Sequence, residues 1–301
     1  MRALAGYLGI GLIKLTGLLP LRMAQNLGRL FGVLFGLYRS RSREVCRVNL
    51  TLCYPQKTLA ERNALLAETL QQSGMVAAEM GAMWGNSAEK LLSLVQRVHG
   101  EELFTQALAN PRGLLILIPH LGNWELTNTY LSARTAPTIM YRPSKWQSFD
   151  DWMLKKRQAF GGKLVPTTRA GVEALFSTLE NNGTVLLLAD QTPARPSGVF
   201  APFMGVEALT VKLPAKLLQK TGAEALFCFV ERLPAGQGFD IHFIAADEEI
   251  YSDDLRISTA AMNKGYERCI EHCPAQYQWS YKRFKHVPEG QPNPYVAAKV
   301  P

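Results

Sequence analysis

The fold of this chain is decided by residues 114–125, which read LLILIPHLGNWE. The first five of these residues are branched and apolar, a pattern typical of a strand that is buried on both faces of a sheet. Gly122-Asn123 predicts a turn, and Trp124 then begins a helix that we expect to reach Ser132. A strand followed directly by a helix is the unit from which parallel sheets are built.

The rest of the chain repeats this alternation. Further strands are predicted at residues 138–141, 184–189, 225–230 and 239–244. Helices are predicted at residues 58–84, 87–95, 101–109, 124–132, 150–160, 171–181, 211–221 and 258–269. Because helices separate most of the strands, we predict an α/β fold with a mostly parallel central sheet flanked by helices.

A histidine and a carboxylate flank the turn in the opening stretch. His120 follows the strand, and Glu125 falls in the first turn of the helix. The turn can bring the carboxylate back to one imidazole nitrogen, which leaves the other nitrogen to take a proton from a hydroxyl. Since the chain has no G-x-S-x-G elbow and no well-placed cysteine, we infer that the nucleophile belongs to the substrate. At this spacing alone, a structural histidine held by a backbone carbonyl remains the alternative.

Polar residues also follow two other predicted strands. Arg142 comes directly after residues 138–141, and Asp190-Gln191 directly after residues 184–189. Ligands bind at the carboxyl ends of the strands in such sheets, so these residues and His120 predict an active site along one edge. The alternative is that Arg142 and Asp190 form a structural ion pair.

The composition narrows the class of partner. A net charge of +8 and a pI near 9.3 favour an anionic partner, either nucleic acid, an acidic protein or an anionic membrane surface. Nucleic acid is disfavoured because the chain has no zinc-finger spacing, P-loop or RNP-like motif. The five cysteines form no C-x-x-C pair and are typical of free thiols in a reducing compartment.

The amino terminus predicts association with a membrane. Residues 3–21 and 27–37 are strongly apolar, and Arg39, Arg41, Arg43 and Arg47 follow them. Either the first segment spans a bilayer, or both segments lie in the interface with the arginines at the cytoplasmic leaflet. A buried pair of helices is the third possibility. We therefore predict a membrane anchor at residues 1–38 and a catalytic α/β domain at residues 39–301.

Five ordered blocks carry a resemblance to a known family. They are the H-x4-E box at residues 120–125, Tyr141-Arg142-Pro143, Ala189-Asp190-Gln191, GVFAPFMG at residues 198–205 and QYQWSYKRFK at residues 276–285. Together they resemble the bacterial lipid A biosynthesis late acyltransferases, which transfer lauroyl or myristoyl chains. That family belongs to the lysophospholipid-acyltransferase superfamily and implies a glycerol-3-phosphate-acyltransferase-like fold.

The resemblance implies an enzymatic activity and a location in the cell. The enzyme would be anchored at the cytoplasmic face of the cell inner membrane, among its lipids. It would move an acyl chain from acyl-carrier protein to a hydroxyl of a lipid A precursor, with or without Kdo sugars. No metal or other cofactor is implied. His120 would be the general base and Glu125 its orienting partner.

The resemblance also implies a set of substrate-binding residues. Asn123 would hold the loop or an acyl carbonyl, the amides near Gly122 would stabilise the oxyanion, and Arg142 would contact a phosphate. The full implied set is Gly122, Asn123, Arg142, Asp190, Gln191, Arg195 and Arg283. Basic residues that could steer the acidic carrier or the phosphorylated precursor are Lys155, Lys156, Arg157, Lys282, Arg283 and Lys285.

Two departures from the family pattern and four alternative interpretations stay open. Tyr281 stands where many relatives have histidine, and Met204 replaces a phenylalanine, which puts the chain-length or acceptor preference in doubt. The same chemistry could serve another acceptor, such as a phosphatidylinositol mannoside or an ornithine-type lipid. The protein could also be a membrane-bound thioesterase in which His120 activates water, or a non-catalytic lipid-binding protein. Residues 155–157 could simply be a solvated helix face.

Overall fold

The computed structural model describes residues 2–38 and 40–300. The helices are α1 (Arg2–Gly17), α2 (Leu21–Leu37), α3 (Arg41–Cys53), α4 (Leu59–Gly85), α5 (Ala88–Leu92), α6 (Glu101–Ala109), α7 (Trp124–Thr135), α8 (Gln147–Gln158), α9 (Arg169–Glu180), α10 (Leu213–Thr221), α11 (Leu255–His272) and α12 (Pro294–Ala297). The strands are β1 (Val95–His99), β2 (Leu114–Leu117), β3 (Thr138–Tyr141), β4 (Lys163–Pro166), β5 (Thr184–Leu187), β6 (Gly198–Phe203), β7 (Val206–Val211), β8 (Glu224–Arg232) and β9 (Phe239–Ala245).

A mixed sheet forms the centre of the described chain. It has seven strands in the order β1-β9-β8-β2-β5-β3-β4. Every neighbouring pair is parallel except β8 and β9, which are antiparallel. The predicted α/β class with a mostly parallel sheet is therefore confirmed. Strands β6 and β7 form a separate antiparallel hairpin.

Strand β2 lies at the middle of the sheet and is buried on both faces. Leu115 and Leu117 pack into one apolar cluster, whereas Leu114 and Ile116 pack into the other. Successive side chains of a strand point to opposite faces, so an uninterrupted apolar run suits a strand covered by helices on both sides. The uninterrupted apolar run that predicted this strand therefore reflects its burial on both faces.

The structure corrects several predicted boundaries. The helix predicted at residues 87–95 ends at Leu92, and Val95 begins β1. Strand β4 and the β6–β7 hairpin are not predicted from the sequence. The hairpin turn consists of Met204 and Gly205, which have φ values of 50° and 76°. Positive φ at both positions is what a tight two-residue hairpin requires.

The two amino-terminal helices pack on α4 through glycines. A Cβ atom at Gly28 would lie 2.4 Å from the carbonyl oxygen of Gly74, and one at Gly81 would lie 2.3 Å from the amide of Gly17. Because glycine has no side chain, the helix backbones approach to van der Waals contact at these positions. In the described part of the chain, no helix is both long enough and apolar enough to cross a bilayer.

The predicted arginine cluster is partly neutralised. Arg43 and Arg47 both form ion pairs with Glu44, which is buried in α3. Arg41 is exposed, and Arg39 lies outside the described residues. The domain boundary at residue 38 stays a prediction.

The glycine packing yields a testable prediction. Gly74→Ala should destabilise the protein by roughly 1–3 kcal/mol, because its methyl group would overpack the contact with α2. In a thermal melt of detergent-solubilised protein, the variant should show a lower Tm than the wild type. Gly85→Ala is the matched control, since it lies in the same helix with open space around a Cβ atom. Equal Tm values for the two variants would contradict the close approach.

Candidate active site

His120 is held by Asp190 through two hydrogen bonds. Asp190 follows β5, the parallel neighbour of β2. Its Oδ2 accepts the backbone N–H of His120 at 2.9 Å, and its Oδ1 lies 2.7 Å from the ring Nδ1. Adjacent parallel strands end at the same edge, so residues 70 positions apart in the chain meet here.

The charge state of Asp190 sets the tautomer of the imidazole. Burial raises the pKa of Asp190, but the imidazole of His120 and the guanidinium of Arg283 outweigh burial and hold this pKa below its ordinary value. An ionised carboxylate only accepts hydrogen bonds, so the proton of neutral His120 resides on Nδ1. The lone pair of Nε2 is then available as a base.

The surroundings of Nε2 come from three elements. The side-chain Nε2 of Gln191 lies 3.4 Å from the ring Nε2 of His120 and donates to Oε1 of Gln278 at 3.1 Å. The ring of Trp124 packs edge-on against the imidazole, with centroids 5.3 Å apart. These contacts fix the ring without occupying Nε2 with a strong donor.

Glu125 does not hold the imidazole, contrary to the sequence-based expectation. Its carboxylate accepts hydrogen bonds from Trp84 Nε1 at 2.9 Å and from Arg157 Nε at 3.0 Å, and it also pairs with Nη2 of Arg157. Burial raises the pKa of Glu125, but Arg157, Trp84 and His120 together lower it below its ordinary value. A buried carboxylate is best satisfied by a planar guanidinium, and Asp190 already occupies the ring nitrogen.

Gly122 and Asn123 anchor the loop and are not open to substrate. The amide of Gly122 donates to Gln276 O and that of Asn123 to Val230 O, both at 3.1 Å. The expected oxyanion donors are therefore already engaged. Gly122 has φ of 57°, and a Cβ atom there would lie 1.7 Å from Val230 O, so glycine is required. The Asn123 side chain donates to the buried carboxylate of Glu79.

Arg142 lies at the mouth of the site, separate from Asp190. The structural ion pair that was the alternative interpretation is not formed, because Asp190 is bound to His120. Arg142 is exposed and lines the same cavity as His120. Within residues 2–38 and 40–300, it has no acidic partner. A guanidinium in this position is free to bind an anion.

Two other predicted arginines have different roles. Arg283 is 3% exposed and donates to Leu209 O and Thr210 Oγ1, both at 2.7 Å, so it braces the β6–β7 hairpin. Arg195 is exposed, donates to Val287 O, and does not line the cavity. Arg157 was expected to steer a partner, but its guanidinium forms an ion pair with Glu125.

A cavity of about 530 Å³ opens beside His120. Its size is typical of a small-molecule site, and its wall is mainly apolar. Apolar side chains from β3, β4, β5, β7, α8, α10 and the loops supply that wall: Ile118, Ile139, Met140, Phe149, Met153, Leu164, Leu186, Leu188, Val211 and Leu213. Tyr281 also lines the cavity. Such a cavity suits a fatty acyl chain better than a polar substrate.

Comparison with known proteins identifies the family. The chain is 27% identical over 290 residues to the lipid A biosynthesis lauroyltransferase of Escherichia coli K12, covering 96% of this chain and 94% of that one. It is 27% identical over 291 residues to the palmitoleoyltransferase of the same organism, with the same coverage. It is also 29% identical over 245 residues to a phosphatidylinositol mannoside acyltransferase of Mycobacterium tuberculosis H37Rv, covering 78% of this chain and 74% of that one. The model of the family described as bacterial lipid A biosynthesis acyltransferase matches residues 1–286, and the chain belongs to this family.

Proposed function

We propose that this acyltransferase moves a fatty acyl chain from the thioester of acyl-carrier protein to a hydroxyl of a lipid A precursor. The observation that carries the proposal is the His120–Asp190 pair, whose free imidazole nitrogen borders an apolar cavity in a chain of this family. Asp190, and not Glu125, is the group that orients the base.

The chemistry follows from the tautomer. Nε2 of His120 removes the proton from the acceptor hydroxyl as its oxygen attacks the thioester carbonyl. When the tetrahedral intermediate collapses, the C–S bond breaks and the imidazolium returns the proton to the thiolate. Asp190 stabilises the imidazolium between these two steps. Because the attacking oxygen belongs to the acceptor, no covalent acyl-enzyme is needed.

The oxyanion requires a donor other than the amides of the loop. The carboxamide of Gln191 lies beside Nε2 of His120 and carries N–H groups that can reach a carbonyl oxygen placed there. Glu125 contributes through charge: it pairs with Arg157, so this guanidinium does not face the cavity as an unpaired cation. The acyl chain occupies the apolar cavity.

The acceptor is recognised at the rim. Arg142 presents an exposed guanidinium at the cavity, and guanidinium binds phosphate bidentately. The phosphate belongs either to the lipid A precursor or to the phosphopantetheine of the carrier.

Attachment to the inner membrane, at its cytoplasmic face, is part of the proposal. One face of α1 and α2 packs on α4, and the outer face carries large exposed apolar side chains. They are Tyr7, Leu12, Leu15, Leu18, Met23, Leu30, Phe31, Val33, Leu34, Phe35, Leu37 and Tyr38. A helix pair that offers lipid only its outer face fits insertion into the interfacial region. The exposed Arg22, Arg29 and Arg41 would add attraction to anionic lipid.

The central experiment measures products directly. Purified protein in detergent is incubated with acyl-acyl-carrier protein and a lipid A precursor with or without Kdo, and the lipids are analysed by mass spectrometry. A precursor gaining one acyl chain supports the proposal. Release of free fatty acid without transfer would indicate a thioesterase instead. The mannoside acyltransferase relative makes a phosphatidylinositol mannoside the second acceptor to test.

The catalytic pair gives the second prediction. His120→Ala should lower kcat by roughly 10²–10⁴-fold, because the hydroxyl loses its base. Asp190→Asn should approach this loss, and the double variant should be little worse, since the two residues act as a unit. Asp151→Asn, which changes an exposed carboxylate of α8, is the control with expected normal turnover. Normal kcat in Asp190→Asn, with folding verified by circular dichroism, would reject Asp190 as the orienting group.

Arg142 gives the third prediction. Arg142→Lys should raise KM for the substrate that carries the bound phosphate, because lysine keeps the charge and loses the bidentate geometry. The increase should shrink with a dephosphorylated acceptor if the phosphate is that of the precursor, and persist if it is that of the carrier. Arg169→Lys, exposed on α9 and paired with Glu173, is the control. An unchanged KM for both substrates would discard the binding role.

The apolar face gives the fourth prediction. Leu30, Leu34 and Leu37 lie on one exposed side of α2, so changing all three to Ser should weaken sedimentation with anionic vesicles by about 100-fold. The matched control changes Leu59, Ile257 and Val296, which are exposed elsewhere, to Ser. Equal sedimentation of both triple variants would show that this face does not bind lipid.

A further inference from the structure

A second cluster of ionisable side chains lies at the opposite edge of the sheet. Asp240 and His242 are two residues apart on β9 and therefore share a face. His99 of the edge strand β1 is the strand partner of His242, and Glu231 of β8 is the partner of Asp240. None of these four residues lines the cavity at His120. The catalytic mechanism does not use them.

The four side chains converge. His99 Nε2 lies 2.9 Å from Asp240 Oδ2, and His242 Nε2 lies 3.0 Å from Glu231 Oε2. The imidazole rings of His99 and His242 stack with centroids 4.4 Å apart, and Phe229 stacks on the other side of His242. One potential ligand atom from each of His99, Asp240 and His242 lies within 4.8 Å of the other two.

A hydrogen-bonded network alone leaves this cluster incomplete. Asp240 is 7% exposed, and its Oδ1 is buried with no hydrogen-bond partner among the described residues. A buried carboxylate oxygen without a partner, beside a second carboxylate and two imidazoles, is suited to binding a cation.

We propose that His99, Asp240 and His242 bind Zn²⁺, with Glu231 placed to supply a fourth ligand. Two imidazoles and carboxylate oxygens form a donor set that this ion accepts in tetrahedral geometry. Ligand atoms on such an ion lie roughly 3.3 Å apart. The 2.9 Å His99–Asp240 distance therefore needs only a small expansion to admit it.

The position of the site indicates its effect. Among the strands of the described residues, β1 lies at the edge of the sheet and pairs only with β9. An ion shared by His99 of β1 and by two residues of β9 would tie this edge strand to its neighbour. We therefore expect bound Zn²⁺ to stabilise the fold, with no direct part in acyl transfer.

The test measures binding of Zn²⁺ to the full-length protein in detergent after treatment with a chelator. Calorimetry should show one tight equivalent, and Zn²⁺ should raise Tm by a few degrees. His99→Ala and Asp240→Asn should each weaken binding by at least about tenfold. Co²⁺ should give the visible bands of a tetrahedral site in the wild type and lose them in both variants.

Two control variants define the site. Arg97, on the same strand as His99, is the strand partner of Asp240, so Arg97→Ala should leave affinity equal or tighter. His286→Ala removes a histidine outside the cluster and should change nothing. Absence of a tight equivalent in the wild type would overturn the proposal. So would tight binding that persists in both His99→Ala and Asp240→Asn, because the ion would then lie elsewhere. All variants are compared in the metal-free state by circular dichroism to verify folding.

Discussion

The carboxylate of Asp190 is the constraint on which the rest of the site depends. It accepts both the backbone amide and the ring nitrogen of His120, so one group fixes the loop after β2 and the tautomer of the base. Keeping it ionised while it is 2% exposed requires compensation, which the two hydrogen bonds from His120 and the positive charge of the buried Arg283 supply. Asp190 can reach His120 because β2 and β5 are neighbouring parallel strands that end at the same edge of the sheet.

Two ion pairs, Glu79–Arg232 and Glu125–Arg157, lie next to the loop that carries His120, and α4 contributes a side chain to each. Glu79 of α4 pairs with Arg232 and accepts a hydrogen bond from Asn123, while Trp84 of α4 donates to Glu125. Breaking such a pair leaves an uncompensated buried charge, at about 3–5 kcal/mol, so these contacts tolerate little movement. The same helix carries the glycines that receive α1 and α2. The apolar amino-terminal face and the loop that bears the base are therefore attached to one rigid element.

Local sequence patterns correctly predicted the elements whose formation depends on nearby residues. The apolar run of β2, the turn at Gly122 and the alternation of strands and helices follow from burial and backbone geometry, and the structure has them. The partner of His120 could not be found in this way, because Glu125 is near in sequence but Asp190 is near in space. Arg283 shows the same difficulty: its charge indicated a surface role, whereas tertiary contacts bury it beneath the β6–β7 hairpin. Short strands such as β4 have too few residues to show the alternation of apolar and polar side chains that predicts a strand.

The geometry also indicates where acceptor choice is made. In the proposed mechanism, the base would accept a proton from a hydroxyl of a lipid A precursor or of a phosphatidylinositol mannoside equally well, and the apolar cavity would hold the acyl chain in both cases. Neither the His120–Asp190 pair nor the cavity wall therefore distinguishes these acceptors. The exposed residues at the mouth do differ in what they can bind: Arg142 offers a guanidinium, and Lys145 and Trp146 beside it are exposed as well. If the proposed mechanism holds, acceptor specificity arises at this rim, where Arg142 can meet a charged headgroup, and not at the buried His120–Asp190 pair.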